Sequence, residues 1–119
     1  MQVYIVSHKT PFSSIDSTVN LRKAALDWMV QNRFFEPDGL GLSRENVIFA
    51  DSRQQKIKYI AELACTDFID DLEETLIEDS FPPCITRILY EPGRQTTVPD
   101  GLKLMKTWKQ ITEYFFGAN

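Results

Sequence analysis

Two adjacent carboxylates, Asp70 and Asp71, follow the apolar pair Phe68–Ile69 and precede a run that is typical of a helix. Phenylalanine and isoleucine favour strands, so the pattern predicts a short buried strand with two acids at its carboxyl end. Neighbouring carboxylates repel each other, and a bound cation would relieve that repulsion. Oxygen ligands of this kind suit Mg²⁺, which makes Asp70 and Asp71 candidate metal ligands. The alternative is that Asp71 caps the following helix while Asp70 is solvated.

Two further residues could handle a phosphoryl group. Ser7 ends the apolar run Val3–Val6, and Lys56 lies in the first turns of a predicted helix. A hydroxyl and an ammonium group can hold phosphoryl oxygens and offset their charge. Lys58 is a second candidate for the lysine, and a solvated surface side chain is the alternative interpretation of either.

Other residues with chemical potential are given structural interpretations. The single histidine, His8, follows Ser7 and is interpreted as a loop residue, because the sequence supplies no catalytic partner for it. Cys65 and Cys84 form neither a disulfide framework nor a metal-binding spacing, and are expected to be reduced residues in or near the core. Trp28 and Trp108 lie on helical stripes and are expected in the core, whereas Arg94 is expected to be solvated.

The elements that must position these residues alternate along the chain. Predicted strands are Val3–Val6, Val47–Ala50, Phe68–Ile69 and Thr86–Tyr90. Predicted helices start at Asp16 or Ser17, at Ser52, at Asp71 and at Leu102, the last reaching Phe116. Such alternation is typical of an α/β fold, here a small doubly wound, mainly parallel sheet of about four strands with helices on both faces.

A doubly wound order would place the strand that ends at Ser7 next to the strand that ends at Asp70. The chain direction across the sheet reverses between these strands, and such a switch point leaves a crevice at their carboxyl ends. Topology therefore predicts Ser7 and His8 on one side of the crevice, and Asp70 and Asp71 on the other.

Composition limits the class of protein. The chain has 119 residues, of which 43% are hydrophobic and 25% charged, as expected for one soluble domain spanning 1–119. A net charge of −4 argues against nucleic acid as the main partner. No apolar run has the length of a membrane span, and the first residues do not resemble a signal peptide. These features, with the unpaired cysteines, predict a cytoplasmic protein that does not bind membranes.

From Val3 to Pro92 the chain resembles the haloacid dehalogenase (HAD)-like hydrolase superfamily of phosphatases and phosphotransferases. Val3–Ser7 resembles the family's second motif, Lys56 its third-motif lysine, and Phe68–Asp71 its fourth motif. The resemblance implies a Rossmann-like fold in which Ser7 and Lys56 bind the phosphoryl group. It further implies that Asp70 and Asp71 hold Mg²⁺ directly or through water. The segment from Cys65 to Leu76 resembles a bacterial subgroup of uncharacterised HAD-like proteins.

The chain departs from the family at one decisive motif. HAD enzymes use the first aspartate of an Asp-x-Asp motif as nucleophile, on a strand that precedes the second motif. No Asp-x-Asp follows an apolar run here: Asp16 lies in a serine-rich loop and Asp67 precedes its strand. The resemblance therefore implies a domain that lacks the first family strand, its nucleophile and one metal carboxylate. Mg²⁺ binding would be weak as a result.

The family places that first strand between the strands that end at Ser7 and Asp70. Either these two strands pair directly, or another segment fills the space between them. A homodimer or a complementing N-terminal segment is therefore an expected partner, alongside a phosphorylated small molecule. The predicted function is a HAD-like phosphatase or phosphotransferase domain that is inactive alone. The alternative is a non-catalytic binding or structural module derived from such an enzyme.

Overall fold

The computed structural model describes residues 1–9 and 20–117. By its internal contacts the chain divides into two compact units, Met1–Ile60 and Ala61–Asn119. Each unit has its own parallel sheet, and helices connect most of the strands. The predicted α/β class with parallel strands is therefore confirmed, while the doubly wound, HAD-like order of one sheet remains a prediction.

The first unit holds the two-stranded sheet. Strand β1 (Ile5–His8) pairs in parallel with β2 (Val47–Ala50), and helix α1 (Leu21–Gln31) lies between them in the chain. A short 3₁₀ helix, Arg44–Asn46, leads into β2. Helix α2 (Arg53–Glu62) follows β2 and contains the boundary between the units.

Local chemistry explains where these elements begin. The Asn20 side chain caps α1 by accepting a hydrogen bond from Lys23 N at 3.0 Å. The capping residues predicted for this helix, Asp16 and Ser17, lie outside the described residues. Strand β1 starts two residues later than predicted, at Ile5, where its pairing with β2 begins; before it, the Val3 carbonyl accepts a hydrogen bond from the Asn46 side chain at 3.2 Å.

The second unit holds the three-stranded sheet. Strand β3 (Asp67–Asp70) pairs with β4 (Thr86–Tyr90), and β4 pairs with β5 (Leu102–Met105), all in parallel. Helix α3 (Glu73–Leu76) joins β3 to β4, and helix α4 (Trp108–Phe116) follows β5. Among the described strands, β1 pairs with β2 and β3 pairs with β4, so the direct pairing of β1 with β3 is not observed.

Strand β5 corrects the prediction of one helix from Leu102 to Phe116. Apolar residues 104, 108, 111 and 115 fit a helical stripe, but residues 102–105 form a strand. Thr107 and Gln110 then form a complete capping box, which starts α4 at Trp108. Gly101, with φ +90°, turns the chain into β5, and a Cβ there would lie 2.6 Å from Arg87 Nη2.

The core of the second unit lies on the central strand β4. Ile88 is fully buried in a cluster with Met105 and Ile111, against which Ile69 and Phe115 pack.

Both tryptophans were predicted in the core, and both predictions are wrong. Trp28 is 57% exposed with its ring edge against Phe34, and Trp108 is 61% exposed beside the Tyr90 ring. No helix among the described residues has the length and apolar character needed to cross a bilayer.

Tyr114 ties α4 to the start of β3. Its hydroxyl donates a hydrogen bond of 2.6 Å to Asp67 Oδ1, while the Thr66 hydroxyl donates to Asp67 Oδ2 at 2.7 Å. The bond to Asp67, together with burial and the carboxylate charge, raises the pKa of Tyr114 above its ordinary value of 10.0. The Asp67 carboxylate therefore favours the neutral phenol in the folded protein.

We expect this contact to fail at alkaline pH. A raised pKa in the folded state means that the stabilisation is complete below about pH 10 and is lost as pH rises through the folded-state pKa. Above about pH 10, wild type should therefore lose stability faster than Tyr114→Phe, as measured by urea unfolding at each pH. Asp67→Asn is the control and should remove the same pH dependence. Parallel curves for wild type and Tyr114→Phe would contradict this account.

Candidate functional site

One group of candidate functional residues lies at the carboxyl edge of the β1–β2 sheet. Ser7 is the third residue of β1, is half-buried, and pairs in register with Phe49. The sequence predicted Ser7 directly after the strand, whereas in the structure Ser7 lies within β1, one residue before its end. His8, the last residue of β1, is exposed, and its Nε2 lies 3.1 Å from the Asp51 carbonyl oxygen.

Arg22 brings a cation to this edge. Its Nε donates to the Lys9 carbonyl at 2.9 Å, and its guanidinium forms an ion pair with the Asp51 carboxylate. The guanidinium also lies 6.0 Å from the centre of the Phe49 ring. This edge thus carries the Ser7 hydroxyl and the positively charged Arg22 guanidinium. Asp51, the counter-ion of Arg22, is exposed.

Helix α2 begins at the same edge. The Ser52 hydroxyl accepts a hydrogen bond from Gln55 N at 3.1 Å, which confirms the predicted cap. The Gln55 side chain accepts from Asp51 N at 2.5 Å, one residue earlier than a standard capping box requires. The backbone N–H of Lys56 donates to the Ser52 carbonyl, so Lys56 lies in the first turn of the helix.

Burial separates the two candidate lysines. Lys56 is half-buried and Lys58 is exposed, although both lie on α2. A cation in the first turn of a helix opposes the helix dipole, at a cost of about 0.3–1 kcal/mol unless an anion is near. Lys56 is less exposed than Lys58 and lies nearer the start of the helix.

A separate group of candidate residues in the second unit is the acidic pair after β3. Asp70 is only 7% exposed, and its Oδ1 accepts a hydrogen bond from Leu72 N at 2.9 Å. Asp71 is exposed, and the N-cap position of α3 is Leu72, which makes no side-chain capping bond. The alternative interpretation of capping Asp71 and solvated Asp70 is therefore wrong on both counts. The structure holds one carboxylate inside the protein and presents the other to solvent.

An ion-pair network surrounds the end of β4. The Arg94 guanidinium has Nη1 3.0 Å from Glu91 Oε2 and Nη2 3.0 Å from Glu73 Oε1, and also donates to the Thr96 and Thr97 carbonyls. The Arg94 side chain is 15% exposed, so the prediction of a solvated arginine is wrong. The hydrogen bond from Arg94 to Glu91 raises the pKa of the Arg94 guanidinium above its ordinary value. Burial of the guanidinium opposes this rise, and the interaction with Glu73 adds to it. The buried Oε1 of Glu73 receives no hydrogen bond, so the Arg94 guanidinium 3.0 Å away is the group that offsets its negative charge.

The four predicted site residues are divided between the units. Ser7 and Lys56 lie in Met1–Ile60, whereas Asp70 and Asp71 lie in Ala61–Asn119. Within the described ranges, no three His, Cys, Asp or Glu side chains are grouped so that they could hold a metal ion. Asp70 and Asp71 alone would supply two oxygen ligands, and Mg²⁺ would need water or phosphate oxygens for the remainder.

Sequence reasoning missed three residues at these edges. Asp51 directly follows β2, so the rule that selected Ser7 and Asp70 from strand ends also selects it. Arg22 and Arg94 carried no such signal, because each reaches its partners from a neighbouring segment. A surface cavity of about 500 Å³ lies apart from all of them, lined by Phe35, Pro37, Gly41, Leu42, Ser43, Arg44 and Glu45.

Because comparisons with known proteins found no match, any assignment of function rests on this chain's own residues. No model of a known protein family matches the chain, and neither a curated protein nor a solved structure does.

Proposed function

We propose that this chain is a HAD-like phosphatase- or phosphotransferase-type domain that binds a phosphoryl group with Mg²⁺ but supplies no nucleophile of its own. The observation that carries the proposal is the buried Asp70 carboxylate at the carboxyl end of a parallel strand. Its Oδ1 accepts a hydrogen bond from Leu72 N at 2.9 Å, which fixes the orientation of the carboxylate. A carboxylate at this edge of a parallel sheet supplies the oxygen ligands that Mg²⁺ prefers.

The first unit supports the same chemistry. Ser7, Lys56 and the start of α2 offer a hydroxyl, an ammonium group and backbone N–H groups on elements joined by the β1–β2 sheet. Phosphoryl oxygens are held by groups of these types. When bound, Mg²⁺ would neutralise phosphate charge, with Asp70 and Asp71 as its protein ligands.

The sequence sets the limit on catalysis. No Asp-x-Asp motif follows an apolar run, so the chain presents no aspartate placed to form an aspartyl-phosphate. We therefore expect the chain alone to leave a generic ester such as p-nitrophenyl phosphate intact. The lack of an Asp-x-Asp motif after an apolar run also favours the second candidate function. This is a non-catalytic module that retains only the binding or structural role.

Titration calorimetry with phosphate, with and without Mg²⁺, tests the proposal. We expect wild type to bind phosphate with millimolar or tighter affinity only when Mg²⁺ is present. Asp70→Asn keeps an oxygen that can accept the Leu72 hydrogen bond but removes the charge, so we expect affinity to fall by about tenfold or more. Asp71→Asn should also weaken binding, and because Asp71 is exposed this variant does not threaten the fold.

Asp79→Asn is the matched control, because it removes one exposed carboxylate from the same unit away from β3. It should leave the affinity unchanged. Absence of Mg²⁺-dependent phosphate binding by folded wild type would overturn the proposal and favour a purely structural module. An equal loss of affinity in Asp79→Asn would show that net charge, rather than the acidic pair, governs binding.

A further inference from the structure

The two cysteines occupy matched positions next to neighbouring strands of the second unit. Cys65 lies two residues before β3, and Cys84 lies two residues before β4. The parallel register pairs Asp67 with Thr86, and each cysteine lies two residues before its own member of this pair. The hydrogen bond from Thr86 N to the Thr66 carbonyl, 2.9 Å, shows that the chains remain side by side one residue before β3 begins.

The register partners that follow the cysteines share one face of the sheet. Asp67 and Thr86 are paired on neighbouring parallel strands, so their side chains project to the same side. Cys84 departs from the strand, because the Ile85 N–H bonds back to the Pro82 carbonyl and turns the chain there. This turn leaves Cys84 exposed, while Cys65 is half-buried.

The spacing of the two strands that the cysteines precede falls within the range of a disulfide. Neighbouring strands lie about 4.8 Å apart, and the Cα atoms of disulfide-bonded cysteines lie about 4.4–6.8 Å apart. We propose that Cys65 and Cys84, which are free thiols in this structure, form a reversible disulfide when the protein meets a small-molecule disulfide such as oxidised glutathione. The link would close a loop that contains β3, the acidic pair and α3.

The exchange proceeds in two balanced steps. The thiolate of exposed Cys84 attacks one sulfur of oxidised glutathione, forming a mixed disulfide and releasing one glutathione thiolate. The Cys65 thiolate then attacks the Cys84 sulfur and displaces the second glutathione. Two protein thiols are oxidised, one glutathione disulfide is reduced to two thiols, and both protein protons pass to the released thiolates. Burial raises the pKa of the Cys65 thiol, against a smaller opposing backbone hydrogen bond, so less of it is thiolate and the second step is expected to be the slower one.

The test treats the reduced full-length chain with oxidised glutathione and follows intact mass. We expect a loss of two hydrogens in wild type, at a rate at least about tenfold higher in the native protein than in urea, because the fold raises the effective concentration of the second thiol. Trypsin leaves both cysteines in the single peptide 59–87. Cleavage after the acidic residues between them should therefore give two fragments that stay joined until a reductant is added.

Single variants separate the two thiols. Cys65→Ser should accumulate a stable glutathione adduct on Cys84, and Cys84→Ser should react slowly. Oxidised wild type should melt at least about 5 °C higher than the reduced protein, because the closed loop restricts the unfolded chain. Two stable glutathione adducts on native wild type, or equal rates of disulfide formation in native and denatured protein, would overturn the proposal.

Discussion

Replacing Ile88 by alanine should lower the free energy of unfolding by about 2–5 kcal/mol, the range typical of a large aliphatic side chain truncated in a core. Ile88 is fully buried on the central strand of the three-stranded sheet, in contact with a cluster that includes Met105 and Ile111. Truncation would leave a cavity bordered by β5 and α4, because both contribute residues to this cluster. Urea unfolding followed by circular dichroism measures the change.

Two matched substitutions make the Ile88 prediction specific. Ile88→Val removes one methyl group and should cost about 0.5–1.5 kcal/mol. Lys103 is the register partner of Ile88 on β5 and is exposed, so Lys103→Ala should change stability by no more than about 0.5 kcal/mol. Comparable losses for Lys103→Ala and Ile88→Ala would show that the cluster is not the core of this unit.

Replacing Arg94 by methionine should lower the melting temperature by roughly 5 °C or more. Arg94 holds the segment after β4 against α3 through Glu73 and Glu91, and its side chain is 15% exposed. Methionine preserves much of the packing volume but removes the charge next to a buried Glu73 oxygen that has no hydrogen bond. The Glu73 carboxylate would then remain with no compensating cation at that oxygen.

A double-mutant cycle measures the interaction energy between Arg94 and Glu73. If the loss in Arg94→Met comes from the uncompensated carboxylate, Arg94→Met/Glu73→Gln should recover most of it, because the neutral amide no longer needs a cation. Glu74→Gln is the control: it removes an exposed carboxylate from the same turn of α3 and should recover nothing. Additive effects of Arg94→Met and Glu73→Gln would assign the role of Arg94 to packing alone.

Local patterns predicted most elements correctly. The strands Val47–Ala50 and Thr86–Tyr90 match their predicted bounds, because each is a short apolar run ended by polar residues or a turn. Lys23 and Asp27, four residues apart on α1, form an ion pair at 2.8 Å, as their spacing on a helix allows. These features depend on residues close in sequence, which is why a single sequence reveals them.

Features that depend on distant residues were harder to predict. Strand β5 was missed because its apolar residues also fit a helix, although Gly101 and the Thr107–Gln110 capping box marked a break on either side. The division into two sheets depends on which strand edges pair, and strand sequences this short do not specify that. Arg94 joins groups on two separate segments, so no local pattern distinguished it from a solvated arginine.

The boundary between the compact units has a practical consequence for dissecting this chain. It falls at Ile60–Ala61, inside the ten-residue helix α2. Isolated helices shorter than about 12 residues are marginal in water, so a fragment that ends at this boundary would carry a helix stub prone to fraying. Fragments meant to fold separately should therefore end in the turn after Glu62, where Ala64 has a positive φ of 52° and the helix has already finished.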